Sequence, residues 1–331
     1  MSGLLNWGKK QVDNALSPQT PSYQNTFIKN YDMKTRFAML GTTGAGKSTV
    51  TGLMLVTAHT RSNDIPDFYC QTVEHKSGIR INASNMRRGI FPPKTIPTGN
   101  STYESGLKIR RKTWHGEKFV HIPIVDVAGE DLQYLLNDFE MGYIPDTINY
   151  NRLKNLLDYI KDSQGFILIL PAPRVFTGTN RVEAEPEDLA EDPDVNLSRL
   201  LEKIISHKEK HGGNPIKGVA VVITKYDQFQ EYATKHNMNL YSPGGIDKFM
   251  KTHFPDTNMQ LKYLQEKGLV RFFPSHVDLE YDERGRIERH NAPGRHYDNK
   301  PKIKRIAERN IPSYSEAAYM ALFEYLEQFA S

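Results

Sequence analysis

Short apolar runs alternate along the chain with longer stretches in which apolar residues recur at helical spacing. Buried strands are predicted at 35–40, 166–170, 217–224 and 269–273. Helices are predicted at 47–60, 197–210, 246–267 and 313–329, the last capped by Ser313 with Glu316 three residues later. Strands that alternate with helices indicate a mostly parallel sheet with helices on both faces, which is a three-layer α/β fold.

Other stretches depart from this alternation. Partial alternation at 105–114 and 119–127 predicts an antiparallel hairpin. Residues 64–103 are rich in Pro, Gly, Asn and Arg, and we interpret them as a functional loop that contains short elements. An acidic insertion is predicted at 174–194, and a hairpin around Gly285. The predicted organisation is a leader and linker at 1–33 and one domain at 34–331, with extra segments at about 61–104, 172–195 and 278–311.

Composition excludes several classes of protein. The 331 residues include 43 basic and 39 acidic side chains, so the formal net charge of +4 is too small to indicate a nucleic-acid partner, and none is predicted. Basic residues concentrate near the C-terminus, where we favour a solvated loop over a phosphate or lipid patch. With 1 cysteine, the chain favours a reducing, cytoplasmic compartment. No apolar run predicts a transmembrane segment, and the weak apolar face near the N-terminus gives little support for peripheral membrane contact.

The loop after the first strand carries the most informative motif. Its spacing is G-x-x-x-x-G-K-[ST], which is that of a phosphate-binding P-loop. Glycines allow successive N–H groups to point at a phosphate, and the following helix presents its positive dipole end to the same anion. Lys47 is expected to reach the β- and γ-phosphates, and the Ser48 hydroxyl to bind Mg²⁺. The candidate nucleotide-binding residues of this loop are Gly41, Thr42, Thr43, Gly44, Ala45, Gly46, Lys47, Ser48 and Thr49.

Two further motifs follow predicted strands. Asp126 and Gly129 form D-x-x-G, in which the carboxylate can hold Mg²⁺ and the glycine N–H can meet a γ-phosphate. Residues 224–227 read TKYD, in which Asp227 can accept hydrogen bonds from the N1–H and 2-amino groups of guanine while the stem of Lys225 lies along the base. Taken alone, D-x-x-G is more often an ordinary turn, because Asp-x-x-Gly turns are common. Residues 224–227 taken alone are equally compatible with an ordinary turn at a strand end.

In this order, the three motifs resemble the Ras-like P-loop GTPase domain of the translation-factor-related class, in proportions closest to larger, divergent prokaryotic or viral members. The resemblance implies a six-stranded, mostly parallel sheet, binding of GTP and GDP with Mg²⁺, and a nucleotide-controlled switch or assembly role. It implies that Thr224, Lys225 and Asp227 contact the base, together with Ser275 and His276 in the loop after the last strand. It also implies a switch threonine that binds Mg²⁺, for which Thr95 is our first choice and Thr98 and Thr102 remain alternatives.

The residue after D-x-x-G departs from the family pattern. Many members have a glutamine there that orients the attacking water, whereas this chain has Glu130. A carboxylate can accept a proton from water but also repels the γ-phosphate, so we expect slow hydrolysis, with Lys47 and Glu130 as the catalytic candidates. Two alternatives stay open, an interaction module without significant hydrolysis and an ATP-using P-loop enzyme. The sequence does not identify the protein effector or regulator that a switch requires.

Overall fold

A computed structural model describes residues 35–61, 70–72, 78–93, 104–113, 116–126, 158–175, 182–183, 192–211 and 215–330. All of them belong to one compact unit, Met33–Ser331. The predicted leader lies outside the described residues, so its boundary with the following domain stays a prediction. Among the described residues, no helix has the length and apolar character needed to cross a bilayer.

The strands of the main sheet are β1 (Phe37–Leu40), β2 (Cys70–Thr72), β3 (Glu104–Thr113), β4 (Gly116–Asp126), β5 (Gly165–Pro171), β8 (Gly218–Thr224) and β9 (Val270–Pro274). Two small antiparallel pairs lie outside it, β6 (Arg174–Val175) with β7 (Val182–Glu183) and β10 (Arg305–Ile306) with β11 (Ile311–Pro312). The helices are α1 (Lys47–Arg61), α2 (Gly78–Arg87), α3 (Pro193–His211), α4 (Gln230–Lys235), α5 (Pro243–His253), α6 (Pro255–Glu266) and α7 (Glu316–Glu327).

The main sheet has the strand order β2-β3-β4-β1-β5-β8-β9. The pairs β4–β1, β1–β5, β5–β8 and β8–β9 are parallel, whereas β2–β3 and β3–β4 are antiparallel. The predicted hairpin is therefore confirmed as β3–β4. The expected number of six strands is not observed. Among the described residues this sheet has 7 strands, because the short strand β2 pairs onto the outer edge of β3.

Each central strand buries both of its faces, as parallel strands covered by helices do. On β1, Phe37 and Met39 join one hydrophobic cluster, and Ala38 and Leu40 join the other. The first cluster includes residues of α1, α2 and α7, and the second includes residues of α3, α5 and α6. We call these sides the α1 face and the α3 face. The prediction of helices on both sides of the sheet is confirmed for the described residues.

Two expectations about helices are corrected. The single helix predicted at 246–267 is two helices, α5 and α6, because Pro255 begins a new helix directly after Phe254. The cap predicted for the last helix is also wrong. Ser315 is the N-cap residue of α7, while the Ser313 hydroxyl donates to Asp278 instead.

The chain between β9 and α7 folds back against α2. Ile303 and Ile311 of this segment are 1% and 5% exposed and belong to the core of the α1 face. The Ile303 amide donates to the Gly89 carbonyl at 3.0 Å, and His290 Nε2 lies 3.2 Å from the same oxygen. Gly89 has φ 77°, and a Cβ there would lie 3.1 Å from the Ile303 carbonyl oxygen. The predicted extra segment at 278–311 is thus packed onto the domain through backbone hydrogen bonds and buried isoleucines.

Candidate functional site

The loop between β1 and α1 has the backbone geometry that its glycines allow. Gly44 and Gly46 have φ of 76° and 96°, in the left-handed region that favours glycine. The Ala45 amide donates to the Thr42 carbonyl at 3.2 Å, and the Val50 amide donates to the Gly46 carbonyl at 2.9 Å. The first bond closes a turn within the loop, and the second is the first helical hydrogen bond of α1. Thr43, Ser48 and Thr49 lie half-buried along it.

Gly41 is required for a different reason, because the backbone approaches β5 closely there. A Cβ at this position would lie 3.0 Å from both the Cβ and the carbonyl oxygen of Ile169, which leaves no room for a side chain without movement of the strand. The start of the loop is thus packed directly on the central sheet.

Lys47 lies inside the loop that precedes it. Its side chain is buried, with 6% exposure, and its ammonium donates to the carbonyl oxygens of Gly41 at 2.6 Å and Thr42 at 3.0 Å. These contacts place a positive charge within the turn formed by 41–46. A buried cation at the N-terminus of a 15-residue helix is a favourable environment for a phosphate group.

The loop after β8 lies beside the P-loop. The Thr224 hydroxyl donates to the Ala45 carbonyl at 2.7 Å and is 3.5 Å from the Leu170 carbonyl oxygen. This hydroxyl joins residues that are 179 positions apart in the chain. The structure thus brings together two motifs that the sequence could identify only separately.

The chain turns sharply after Thr224. Lys225 has φ 58° and ψ 25°, the left-handed conformation, which is uncommon for a residue with a Cβ. It precedes a 3₁₀ helix, Tyr226–Gln228, in which Asp227 occupies the first turn and is half-buried. The strained turn redirects the chain so that Lys225 and Asp227 follow the carboxyl end of β8.

The loop after β9 contacts this turn through its backbone. The Ser275 amide donates to the Ile223 carbonyl at 2.7 Å, and the Ser275 carbonyl accepts from the Tyr226 amide at 3.4 Å. The Ser275 side chain is 4% exposed, and its hydroxyl is 2.7 Å from the Tyr319 hydroxyl. His276 is half-buried, and its amide donates to the Ser315 hydroxyl at 3.0 Å. The predicted contacts of Ser275 and His276 with a base stay predictions.

Asp126 is the last residue of β4, and its Cα is paired with Met39 of β1. Because β4 and β1 are parallel, Asp126 and the start of the P-loop follow neighbouring strands at the same edge of the sheet. The structure therefore brings the backbone of Asp126 to the edge where Gly41 begins the loop.

Other predicted residues lie outside the described part of the chain. They are Gly129 and Glu130 after Asp126, and the threonine candidates Thr95, Thr98 and Thr102. Within the described residues, no group of three or more His, Cys, Asp or Glu side chains is arranged to hold a metal ion by itself.

Sequence reasoning missed the contacts that surround the site on the α1 face. Tyr319, Tyr314 and Ser315 of the last helical segment reach the loop after β9 or helix α1. Burial raises the pKa of Tyr319 far above its usual range and that of Tyr314 to about 12, so both phenols stay neutral hydrogen-bonding groups. The helical spacing of 313–329 indicated only an apolar inner side.

No family model and no curated protein matches this chain. Among solved structures, it is similar to the S. cerevisiae Ski7 GTPase-like domain bound to GDP and inorganic phosphate, at 13% identity and a TM-score of 0.33, covering 82% of this chain and 49% of that one. The same domain bound to GTP gives 13% identity and a TM-score of 0.34, covering 75% and 44%.

Sup35 complexed with GDP gives 12% identity and a TM-score of 0.29, covering 81% of this chain and 45% of that one. This chain thus spans about half the length of each of the three. Because the identities and the scores are low, the functional assignment depends on the geometry of the loops in this chain.

Proposed function

We propose that this protein binds guanine nucleotides with Mg²⁺ and hydrolyses GTP slowly to GDP and phosphate, acting as a nucleotide-controlled switch or assembly protein. The observation that carries the proposal is the hydrogen bond from Thr224 to Ala45 at 2.7 Å. It joins the loop that has the spacing of a phosphate-binding P-loop to the loop that carries the TKYD pattern. Both loops lie at the edge of the sheet where ligands of parallel α/β folds bind.

The phosphate part of the proposal depends on Lys47 and the loop around it. The Lys47 ammonium neutralises charge on the β- and γ-phosphates, and the amides at the start of α1 donate hydrogen bonds to the same oxygens. The donor set also fits Mg²⁺, because the Ser48 hydroxyl and the Asp126 carboxylate are hard oxygen ligands of the kind this ion prefers. Mg²⁺ bound there would neutralise charge on the β- and γ-phosphate oxygens.

The base part of the proposal depends on Asp227. A carboxylate at this position accepts hydrogen bonds from N1–H and the 2-amino group of guanine, whereas adenine offers no donor at either position. A site that is built to pair with such donors rejects a base that lacks them, because the carboxylate is then left without partners. The aliphatic stem of Lys225 covers one side of the base.

Hydrolysis is the less direct part of the proposal. The P-loop and Lys47 position the γ-phosphate and stabilise its charge, which contributes to catalysis in any P-loop hydrolase. Glu130 stands in sequence where a glutamine is usual. Its carboxylate can accept a proton from water, but its negative charge repels the γ-phosphate. We therefore expect turnover to be slow.

Binding is tested by competition among GTP, GDP, XTP and ATP for the purified protein in Mg²⁺ buffer. GTP should bind at least about 100-fold more tightly than ATP. Asp227→Asn should reverse the order of GTP and XTP, because the amide donates where the carboxylate accepts. Equal affinity for ATP and GTP would favour the ATP-using alternative and refute guanine recognition.

Hydrolysis is tested by phosphate release in a single turnover. Wild-type protein should release phosphate slowly, Lys47→Ala should release none, and chelation of Mg²⁺ should have the same effect as Lys47→Ala. A rate near that of fast GTPases, lost in Glu130→Ala, would show that this glutamate is an efficient catalytic group. Tight GTP binding without any release, with or without cell extract, would favour the interaction module.

A further inference from the structure

Tyr319 has a hydroxyl contact that the packing of α7 does not require. Its side chain is 1% exposed within the core of the α1 face, where an apolar phenyl ring would fill the same space. Its hydroxyl nevertheless lies 2.7 Å from the Ser275 hydroxyl, which is also buried. Burying two hydroxyl groups costs free energy unless they form hydrogen bonds. Each of these two hydroxyl groups therefore depends on the other as its hydrogen-bond partner.

Ser275 in turn holds the loop that carries the base-recognition residues. Its amide donates to Ile223, the residue before Thr224, and its carbonyl accepts from Tyr226, the residue before Asp227. The backbone of Ser275 therefore touches both sides of the strained turn at Lys225. A shift of Ser275 would be transmitted to the first turn of the 3₁₀ helix, where Asp227 lies.

The start of α7 is itself fixed at two neighbouring points. The Ser315 hydroxyl accepts from the His276 amide at 3.0 Å, and the Ser315 amide donates to the His276 carbonyl at 3.3 Å. The Tyr314 hydroxyl is 2.8 Å from the Thr57 hydroxyl on α1, the helix that follows the P-loop. Tyr319 thus extends from a segment that is anchored to both nucleotide-binding elements.

We propose that Tyr319 is a positioning residue for guanine recognition. Its hydroxyl fixes Ser275, and Ser275 fixes the Tyr226 amide and with it the carboxylate of Asp227 opposite the base. In this arrangement the Ser275 hydroxyl serves as an anchor to α7. The inference deepens the proposed function and rests on it, since it assigns a specificity role to a residue too far into the core to touch nucleotide.

The test compares Tyr319→Phe with Tyr325→Phe. Tyr325 lies on the same helix, is 2% exposed, and donates its hydroxyl to the Leu269 carbonyl at 2.7 Å, at the opposite end of β9 from Ser275. Both variants remove one buried phenolic hydroxyl and leave the ring. A general loss of stability should therefore appear in both variants, whereas a loss of base selectivity should appear in Tyr319→Phe alone.

The readout is the ratio of the dissociation constants of ITP and GTP, since ITP lacks only the 2-amino group that Asp227 accepts from. We expect Tyr319→Phe to lower this ratio by about threefold to tenfold, which is the change in an equilibrium constant that the loss of one hydrogen bond typically produces. Tyr325→Phe should lower the thermal midpoint about as much as Tyr319→Phe does, but it should leave the ratio unchanged. In an Asp227→Ala background, Tyr319→Phe should change the ratio no further.

The possible outcomes distinguish failure of the positioning role of Tyr319 from failure of the proposed function. If wild-type protein binds GTP more tightly than ITP and Tyr319→Phe keeps that ratio, the positioning role is refuted while the proposed function stands. If wild-type protein does not bind guanine nucleotides, both are refuted. Should Tyr319→Phe fail to fold, Ser275→Ala removes the same hydrogen bond from the other side, and an unchanged ratio in that variant would also refute the positioning role.

Discussion

The two faces of the sheet use buried polar groups differently. On the α1 face, polar contacts extend from the α7 segment to α1 or to the loop after β9, as in the Thr57–Tyr314 and Ser275–Tyr319 pairs. On the α3 face, the main polar anchor is Asp194, whose carboxylate oxygens accept from the amides of Asp256 at 2.9 Å and Thr257 at 2.7 Å. That anchor joins the start of α3 to the start of α6.

If the protein has the proposed function, this difference separates stability from nucleotide recognition. A polar contact with one end on α1 or on the loop after β9 affects both the free energy of unfolding and the geometry of the site. A contact between two helices of the α3 face affects the free energy of unfolding alone. Matched substitutions on the two faces should therefore give different combinations of stability and nucleotide affinity.

The largest effect is expected for Asp194→Ala on the α3 face. Asp194 is 6% exposed and Thr257 is fully buried, so the substitution leaves two amides at the start of α6 without their acceptor. The free energy of unfolding should fall by about 3 kcal/mol. Urea denaturation measures the loss, and GTP affinity measured well below the unfolding transition should not change. A weakened GTP affinity of the folded protein would contradict the separation of the two faces.

Thr57→Val on the α1 face should destabilise the protein less than Asp194→Ala, but it should also weaken nucleotide binding. The variant keeps the shape of the side chain but removes the hydrogen bond to Tyr314. The free energy of unfolding should fall by about 1 kcal/mol. GDP should bind more weakly because α1 loses one of its polar contacts with the α7 segment, although the Arg61–Glu316 pair remains. Thr60→Val is the control, since among the described residues that hydroxyl donates to the Val56 carbonyl within the same helix. Equal GDP affinities in the two variants would disprove the coupling.

A pH effect is expected from His253 on the α3 face. The ring packs among Phe229 and Phe249 at centroid distances of 5.2 and 5.4 Å, and its Nε2 has no hydrogen-bond partner among the described residues. Burial lowers the pKa of His253, with a smaller contribution from the nearby His236. The folded protein therefore binds a proton less readily than the unfolded chain, so stability is lost as the pH falls below about 6.5.

The measurement is the thermal midpoint between pH 7.5 and pH 5, in wild-type protein and in His253→Phe. The thermal midpoint should decrease less on acidification in the variant than in wild-type protein. The corresponding difference in the free energy of unfolding should be smaller than the loss of about 1 kcal/mol expected for Thr57→Val. Part of the decrease should remain, because the pKa values of His59 and His296 are also lowered by burial and by neighbouring cations. Identical decreases in the two proteins would refute the role of His253.

The smallest effect is expected for Lys251→Met. Its ammonium is 2.7 Å from the Asp247 carboxylate, but both side chains are more than half exposed, at 65% and 55%. Solvent screening and side-chain entropy reduce such a pair to less than about 0.5 kcal/mol. Urea denaturation at low and high salt should show nearly the same stability as wild-type protein. A loss comparable to that in Asp194→Ala would show that surface charge, rather than burial, determines stability on this face.

The sequence predicted the parts of the fold that depend on local patterns. The apolar runs identified β1, β5, β8 and β9, and alternation identified the β3–β4 hairpin. The glycine spacing of the P-loop predicted a turn that the left-handed Gly44 and Gly46 confirm. Each of these signals lies within a few residues of the feature it describes, which is why a single sequence was enough.

The missed features depend on contacts between distant positions. Ser313 has the spacing of a capping residue, but its hydroxyl donates to Asp278, and Ser315 occupies the cap position instead. The Asp194 carboxylate caps a helix 62 residues away, so no local pattern could have identified it. The link between Tyr319 and Ser275 spans 44 residues. The sequence predicted Ser275 as a base contact and Tyr319 only as part of an apolar helix, so nothing in it indicated a bond between them.

Part of the attachment of the chain between β9 and α7 to α2 is made with main-chain atoms. The Ile303 amide and the Gly89 carbonyl form it, and neither depends on the identity of a side chain beyond the glycine itself. Around Gly285, at the tip of this segment, a Cβ would meet open space. The exposed positions of this segment can therefore vary in charge and shape without loosening its attachment, as long as Gly89, Ile303 and Ile311 are kept.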